Sequence, residues 1–173
     1  MMNPLLSIRQ ALIGLALIWT SLTVMSAEIT GRVVGVSDGD TITVLVDGHE
    51  SVKVRLLGID APEKAQPFGA VSKRHLSDHV FGKTVTVETT KKDRYGRVLG
   101  RVLVNGTDVC LEQIRAGLAW HYKQYANEQP DGLRLSYASA EQQARQEKLG
   151  LWGAPNHIPP WEFRHPERTR GEK

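Results

Sequence analysis

Four acidic residues and one arginine lie close together in a segment whose remaining composition is typical of β-strands. The acids are Asp38, Asp40, Asp60 and Glu63, and the arginine is Arg55. Aspartate is uncommon inside strands, so acids at strand ends either shape turns or converge on a ligand. Taken singly, "DGD" is most often a turn and "DAPE" a proline-containing loop. Their chemical significance depends on whether the fold brings the side chains together.

Alternating apolar residues predict the strands that would carry these acids. The segments "TITVLV" (41–46) and "SVKVRLL" (51–57) alternate apolar and polar positions. Asp47-Gly48 between them is a hairpin signal. A strand is expected before them, over residues 28–37. Arg55 then stands on the opposite face of its strand from the apolar residues.

The remaining segments complete a small α+β domain. "TVTVETT" and "RVLGRVLV" predict two more strands, joined by the polar turn "KKDRYGR". Helices are expected over residues 70–81, from an Asp108 cap to about residue 116, and over 133–149. Five short strands, with one helix between them and two after, fit a five-stranded OB-fold β-barrel with three α-helices.

This order of elements brings three carboxylates and two guanidiniums to one rim of the barrel. The first hairpin ends at Asp40, the third strand carries Arg55 and leaves through 60–63, and the next turn delivers Arg97. Hard oxygen ligands select Ca²⁺ or a similar ion. Guanidiniums bind phosphate oxygens through paired hydrogen bonds, and a free carboxylate can deprotonate a water. Together these are the requirements of phosphodiester hydrolysis.

Charge is distributed unevenly along the chain, although the net charge is only +3. Residues 64–101 hold nine Lys or Arg against three acids, and residues 28–63 hold seven acids against three bases. An acidic cluster beside a basic surface suggests a metal ion next to a polyanion, while most such runs are simply solvated surface. The single cysteine, Cys110, rules out an intramolecular disulfide and a cysteine zinc cage.

Histidine and aromatic residues offer weaker candidate sites. His75 and His79 have the i, i+4 spacing of a metal-binding pair on a helix, but no acidic partner accompanies them, and surface positions are favoured. Trp120, Tyr122 and Tyr125 could stack on bases, although aromatic residues near a strand are more often core.

The first 27 residues have the pattern of a secretory signal peptide. Arg9 is their only charge, residues 11–25 are mostly apolar, and the small residues Ser26-Ala27 suit a cleavage site. We therefore expect a signal peptide (1–27), a folded domain (28–152) and a tail rich in proline and charge (153–173), in a secreted or periplasmic protein. Met25 leaves an uncleaved membrane anchor as the alternative; otherwise no membrane association is expected.

Five motifs resemble, in order, the staphylococcal nuclease or thermonuclease family. They are "DGDT" (38–41), "RLLGIDAPE" (55–63), "DRYGR" (93–97), "AGLAW" (116–120) and "AEQQARQEKLGLW" (140–152). The resemblance covers nearly all of residues 31–152. It implies an OB-fold barrel with three helices that cleaves DNA and RNA using Ca²⁺.

The resemblance also implies roles for individual residues. Asp40 and Asp60 would be the carboxylate ligands of calcium, and Ala61 would add its main-chain carbonyl. Glu63 would be the general base. Arg55 and Arg97 would bind and stabilise the phosphate.

Three further residues have supporting roles by the same resemblance. Asp38 would support the metal ligands without binding the ion, and Tyr95 and Tyr125 fall where the family has nucleotide-contacting tyrosines. The sequence departs from the family where Ala61 replaces a common threonine, and the loop over residues 64–69 is shorter. Because the ligand at position 61 is a main-chain oxygen, the metal site should survive the first change.

Two other functions remain open from the sequence. A non-catalytic OB-fold module could bind single-stranded nucleic acid through the same basic rim. A calcium-stabilised envelope protein would leave Arg55 and Arg97 unexplained. DNA and RNA are the expected partners, and no stable protein partner is expected.

Overall fold

The computed structural model describes residues 27–165. The predicted signal peptide, apart from Ala27, and residues 166–173 of the tail lie outside the described residues.

Eight strands build the β-structure of the described residues. They are β1 Ala27–Val36, β2 Thr41–Val46, β3 Glu50–Leu56, β4 Ile59–Asp60, β5 Thr84–Lys92, β6 Val98–Val104, β7 Thr107–Asp108 and β8 Trp120–His121. The order β3-β2-β1-β5-β6 is antiparallel throughout, and a parallel pairing of β3 with β6 closes it into a five-stranded barrel. The predicted OB-type barrel is thereby confirmed.

The barrel interior is filled by the alternating apolar residues that predicted its strands. Ile42 and Val44 of β2 and Val54 and Leu56 of β3 are all 0% exposed. The hairpin between these strands turns at Asp47-Gly48, where φ is 49° and 74°. Two successive positive φ values match the type I′ turn whose twist suits a two-residue hairpin.

Four helices accompany the barrel within the described residues. They are α1 Gly69–Val80, α2 Val109–Arg115, α3 Asp131–Gln146 and α4 Pro160–Phe163, with 3₁₀ segments at Lys123–Glu128 and Gly150–Gly153. The predicted cap of α2 is present, since the Asp108 side chain accepts a hydrogen bond from the amide of Leu111 at 3.1 Å. None of the helices within residues 27–165 is long and apolar enough to cross a lipid bilayer.

The last two helices differ from the prediction. α3 begins and ends earlier than the predicted 133–149. Pro130 is its N-cap residue, and a φ of 55° at Lys148 prevents the helix from continuing to Leu149. The short α4 lies inside the predicted tail, where no helix was expected; prolines at positions 159 and 160 favour its first turn because their φ is already helical.

Candidate functional site

Asp40 lies at the end of the loop that leads from β1 into β2, and its carboxylate is only 2% exposed. Its Oδ2 accepts a hydrogen bond from the amide of Ala61 at 2.7 Å, and its Oδ1 accepts one from the hydroxyl of Thr41 at 3.1 Å. Asp38 accepts a hydrogen bond from the amide of Asp40 at 3.1 Å. Groups from β2 and from the residue after β4 therefore hold the Asp40 carboxylate from two sides.

Close packing against α1 and α2 holds this loop in place. A Cβ atom at Gly39 would lie 2.7 Å from the Cβ of Ala61 and closer still to the Ser72 hydroxyl, so only glycine fits. The buried side chain of Gln113 donates to the Gly39 carbonyl at 2.7 Å and to the Ser72 carbonyl at 3.2 Å. Two helices thus position the loop that carries Asp40 through a buried polar network centred on Gln113.

Arg55 joins Asp40 to Asp60. One terminal nitrogen of its guanidinium donates to Oδ1 of Asp40, and the other donates to Oδ1 of Asp60 at 2.6 Å. Asp60 is 0% exposed and is held by the pairing of β4 with β8, where it lies opposite Trp120. The side chain of Arg55 is 17% exposed. We call Asp40, Arg55 and Asp60 the acid–arginine cluster.

The electrostatics of Asp40 are dominated by its burial. Burial, together with smaller effects of nearby Asp38 and Asp60, raises the pKa of Asp40 to about 8. The ion pair with Arg55 favours ionised Asp40, but burial prevails. Burial alone would lower the pKa of Arg55, but the two aspartates hold it above its ordinary value. An added cation would stabilise ionised Asp40.

The cluster suits a hard metal ion that is only partly enclosed by protein. Within residues 27–165, no group of three or more His, Cys, Asp or Glu side chains is placed to hold a metal ion. The carboxylates of Asp40 and Asp60 meet at Arg55 and offer hard oxygen donors, and the amide of buried Ala61 reaches Asp40, so its carbonyl belongs to the same segment of chain. Such a donor set fits Ca²⁺ if water and substrate fill the remaining positions. The assignment of these three ligands stays a prediction.

Glu63 lies at the edge of the cluster, with its side chain 36% exposed. Its amide donates to the side-chain carbonyl of Gln66 at 2.8 Å, which fixes the loop after Pro62. Its carboxylate accepts a hydrogen bond at 2.6 Å from Arg164, which also donates to Asp60 at 2.7 Å. The tail therefore contributes a guanidinium that sequence analysis missed.

Arg97 lies in the turn between β5 and β6, outside the acid–arginine cluster. The strand that follows it, β6, pairs with β3, and Leu99 of β6 is the register partner of Arg55. The Nε of Arg97 donates to Asp93 at 2.7 Å. No hydrogen bond or ion pair found in the described chain joins Arg97 to Asp40, Asp60 or Glu63. The pair with Asp93 uses one of its three side-chain nitrogens, so phosphate binding through the terminal nitrogens would not require this pair to break.

The predicted nucleotide-contacting tyrosines are both exposed. Tyr95 is 67% exposed in the β5–β6 turn, with the guanidinium carbons of Arg94 and Arg97 at 4.8 and 5.4 Å from its ring centroid. Tyr125 is 48% exposed, and its ring lies 5.4 Å from that of Tyr122. Their accessibility is compatible with stacking on a base. Trp120 is only 3% exposed and belongs to the core instead.

His75 and His79 contact neighbouring protein groups and so have a structural role. His75 and His79 are half-buried rather than fully on the surface, with ring centroids 4.3 Å apart. Nδ1 of His75 contacts the side-chain oxygen of Gln113, and Nδ1 of His79 contacts the carbonyl of His75 at 2.8 Å. The pair supports the network under Asp40.

A closed five-stranded barrel with buried carboxylates and an arginine at one rim defines an OB-fold domain suited to a cation and a phosphate group. The model of the Staphylococcal nuclease homologue family matches residues 53–154, more than half of the chain. The chain belongs to this family. The resemblance found in the sequence is thereby confirmed.

Curated relatives extend the similarity beyond the family match. An uncharacterized endonuclease of Haemophilus influenzae is 44% identical over 158 residues, which cover 91% of this chain and 85% of that protein. An uncharacterized endonuclease of Escherichia coli is 46% identical over 154 residues, covering 88% and 96%. A micrococcal nuclease of Shigella flexneri is 37% identical over 152 residues, covering 83% and 84%.

Proposed function

We propose that this protein is a nuclease that hydrolyses phosphodiester bonds of DNA and RNA with little sequence preference, in a calcium-dependent reaction. The observation that carries the proposal is the acid–arginine cluster, two buried carboxylates bridged by Arg55, in a chain of this family. The names of the relatives, endonuclease and micrococcal nuclease, support the same activity.

Each residue has a distinct part in the proposed mechanism. Asp40, Asp60 and the Ala61 carbonyl would hold the ion, which when bound polarises a phosphate oxygen. The exposed carboxylate of Glu63 takes a proton from the attacking water. The water oxygen forms a bond to phosphorus while the bond from phosphorus to the 5′ oxygen breaks, leaving a 3′-phosphate and a 5′-hydroxyl.

The arginines act on the charge that develops at phosphorus. Donors aimed at oxygens that gain charge in the transition state stabilise it more than the ground state, which raises the rate of the chemical step. Arg55 is already oriented by Asp40 and Asp60, so it is preorganised for this contact. Arg97 would join it from the β5–β6 turn, and Tyr95 and Tyr125 would stack on flanking bases.

The proposal includes export of the protein from the cytoplasm. It is supported by the lone Arg9, the apolar run over residues 11–25 and the small residues before Glu28. Mass measurement of the protein from its native host should give a mature chain that begins near Glu28. A full-length protein in the cytosol would contradict export but leave the activity untouched.

The activity is tested by incubating the protein with plasmid DNA and with RNA, first with calcium and then with excess chelator. We expect both substrates to be cleaved with calcium and neither with chelator. A labelled oligonucleotide product should resist extension by a polymerase until its 3′-phosphate is removed. Binding of single strands without cleavage would instead indicate the non-catalytic OB-fold module.

A further inference from the structure

The described part of the tail, residues 153–165, lies at the edge of the acid–arginine cluster and is held there by polar contacts; we call it the C-terminal segment. The side-chain amide of Gln66 donates to the Ile158 carbonyl at 2.9 Å. The same side chain accepts a hydrogen bond from the amide of Glu63 at 2.8 Å. Gln66 therefore ties the loop that carries Glu63 to the C-terminal segment.

Aromatic packing anchors the segment a second time. The ring of Trp161 in α4 lies 6.3 Å from that of Trp120 and 5.5 Å from that of Tyr122, measured between centroids. The amide of Arg164 donates to the Pro160 carbonyl at 3.0 Å, continuing the helical turn. Arg164 is thus positioned by an anchored turn.

The guanidinium of Arg164 binds two of the carboxylates on which the proposed mechanism depends. One terminal nitrogen donates to Glu63 Oε1 at 2.6 Å and, at 3.3 Å, to Asp60 Oδ1, while the other donates to Asp60 Oδ2 at 2.7 Å. Asp60 Oδ1 also accepts from Arg55 at 2.6 Å. Both oxygens of Asp60 are therefore engaged by guanidinium groups.

These contacts conflict with the chemistry that the two carboxylates would perform. An ion bound by Asp60 needs a carboxylate oxygen facing it, and two like charges cannot share that oxygen cheaply. The Arg164 guanidinium occupies Oε1 of Glu63 at 2.6 Å, so that oxygen is not free to accept a hydrogen bond from the attacking water. With Arg164 in this position, both groups are withdrawn from the reaction.

We propose that Arg164 is a built-in competitor of the metal ion, so that a divalent cation and the Arg164 guanidinium exclude each other at Asp60. Binding of the ion releases Arg164 from Asp60 and Glu63 and frees the base. The inference rests on the proposed function, because it takes Asp60 as a metal ligand. It also explains how the buried carboxylates keep a compensating positive charge when no ion is bound.

The proposal is tested by measuring calcium binding to the full chain by calorimetry without nucleic acid. Arg164→Gln removes the charge and shortens the side chain while keeping its first three carbons and a polar end. We expect it to bind calcium between about threefold and thirtyfold more tightly than the unmodified protein, since the lost pair is intermediate between exposed and buried ion pairs. Arg164→Lys keeps a charge but not the planar fork, and should fall between the two.

The matched control is Arg134→Gln, which removes an arginine whose exposed pair with Asp131 lies on α3. Its calcium affinity should equal that of the unmodified protein. Two results would overturn the competitor role alone. One is a calcium affinity of Arg164→Gln equal to that of the unmodified protein. The other is weaker calcium binding by Arg164→Gln although it unfolds at the same temperature as Arg134→Gln. Failure of all these proteins to bind calcium would overturn the metal ligands as well.

Discussion

The described residues contain one arginine–aspartate arrangement at the acid–arginine cluster and another in the β5–β6 turn, and the two differ in burial and hydrogen bonding. In the acid–arginine cluster, Arg55 serves two carboxylates that are 2% and 0% exposed. In the β5–β6 turn, Arg97 forms an ion pair with one carboxylate, that of Asp93, whose side chain is 19% exposed. Asp93 also accepts hydrogen bonds from the amides of Tyr95 and Arg97 at 2.9 and 3.0 Å.

The pKa shifts in the two regions have opposite signs. Burial raises the pKa of Asp40 to about 8. Burial also acts to raise the pKa of Asp93, but hydrogen bonds from Arg97 and two amides outweigh it and hold that pKa below its ordinary value. Hydrogen bonds therefore dominate the pKa of Asp93, whereas burial dominates that of Asp40, whose ionised form a nearby cation would favour. The same residue types thus form a candidate cation site in one place and a stable turn in the other.

The largest expected effect comes from Glu63, which belongs to neither arrangement. Glu63→Gln keeps the size of the side chain but cannot accept a proton, so we expect kcat to fall about 10²–10⁴-fold. Because Glu63 lies at the surface of the cluster, the unfolding temperature should change little. Kinetics on plasmid and a thermal melt are the measurements. Full turnover by a folded Glu63→Gln protein would assign the base to another group.

Replacing each arginine by glutamine compares the two regions directly. Arg55→Gln leaves buried Asp40 without its guanidinium partner and Asp60 with Arg164 alone, and should lower the free energy of unfolding by about 3–5 kcal/mol. Arg97→Gln removes a partly exposed pair, and should lower it by no more than about 1 kcal/mol. Urea denaturation of both variants measures the difference. Equal losses would show that burial does not distinguish the two regions.

Arg97→Lys asks whether the turn arginine contributes through its charge or its shape. Lysine keeps the charge but loses the planar fork that binds two phosphate oxygens. We expect kcat to fall about 10²–10³-fold, the usual loss for one transition-state donor, with stability nearly unchanged. Nearly full activity in Arg97→Lys would show that a point charge suffices.

A smaller effect is expected from the loop that carries Asp40. Gly39→Ala would press a methyl group against Ser72 and Ala61, and should cost about 1–3 kcal/mol of stability and weaken calcium binding. The matched control is Gly132→Ala in α3, where no atom lies within 4 Å of the new Cβ. That change should be neutral or slightly stabilising, because alanine favours the helix. Denaturation and calorimetry of both variants test the comparison, and equal stability would remove the packing argument.

Local patterns predicted most of the fold and the centre of the candidate site. Alternation of apolar and polar residues predicted the strands of the barrel. Asp108 predicted the start of α2, because an N-cap side chain binds an amide of its own helix. The predicted meeting of Asp40, Arg55 and Asp60 followed from strand order alone. These features depend on neighbours along the chain or on one sheet.

The parts that sequence reasoning missed depend on distant contacts. Gln113 contacts Gly39, which lies 74 positions earlier in the sequence. The local sign of this contact was that Gln113 is a polar residue on the apolar face of α2. Arg164 contacts Asp60, which lies 104 positions earlier in the sequence, and no residue near Arg164 in the sequence indicates that contact. Arg97 was predicted at the same rim as Asp40, and sequence reasoning did not anticipate its hydrogen bond to Asp93, which depends on the detailed shape of the turn.

The central claim, that the acid–arginine cluster holds a hard cation needed for cleavage, is tested most directly by titrating the chelator-stripped protein with Ca²⁺ and with Mg²⁺ while plasmid cleavage is followed. We expect cleavage with Ca²⁺, which tolerates a mixed shell of 6–8 oxygens at about 2.3–2.6 Å. Mg²⁺ demands a tighter octahedron and should support it poorly. Asp40→Asn and Asp60→Asn should each raise the calcium required for half-maximal cleavage. Equal rates with both ions, or undiminished cleavage without any metal, would contradict the account.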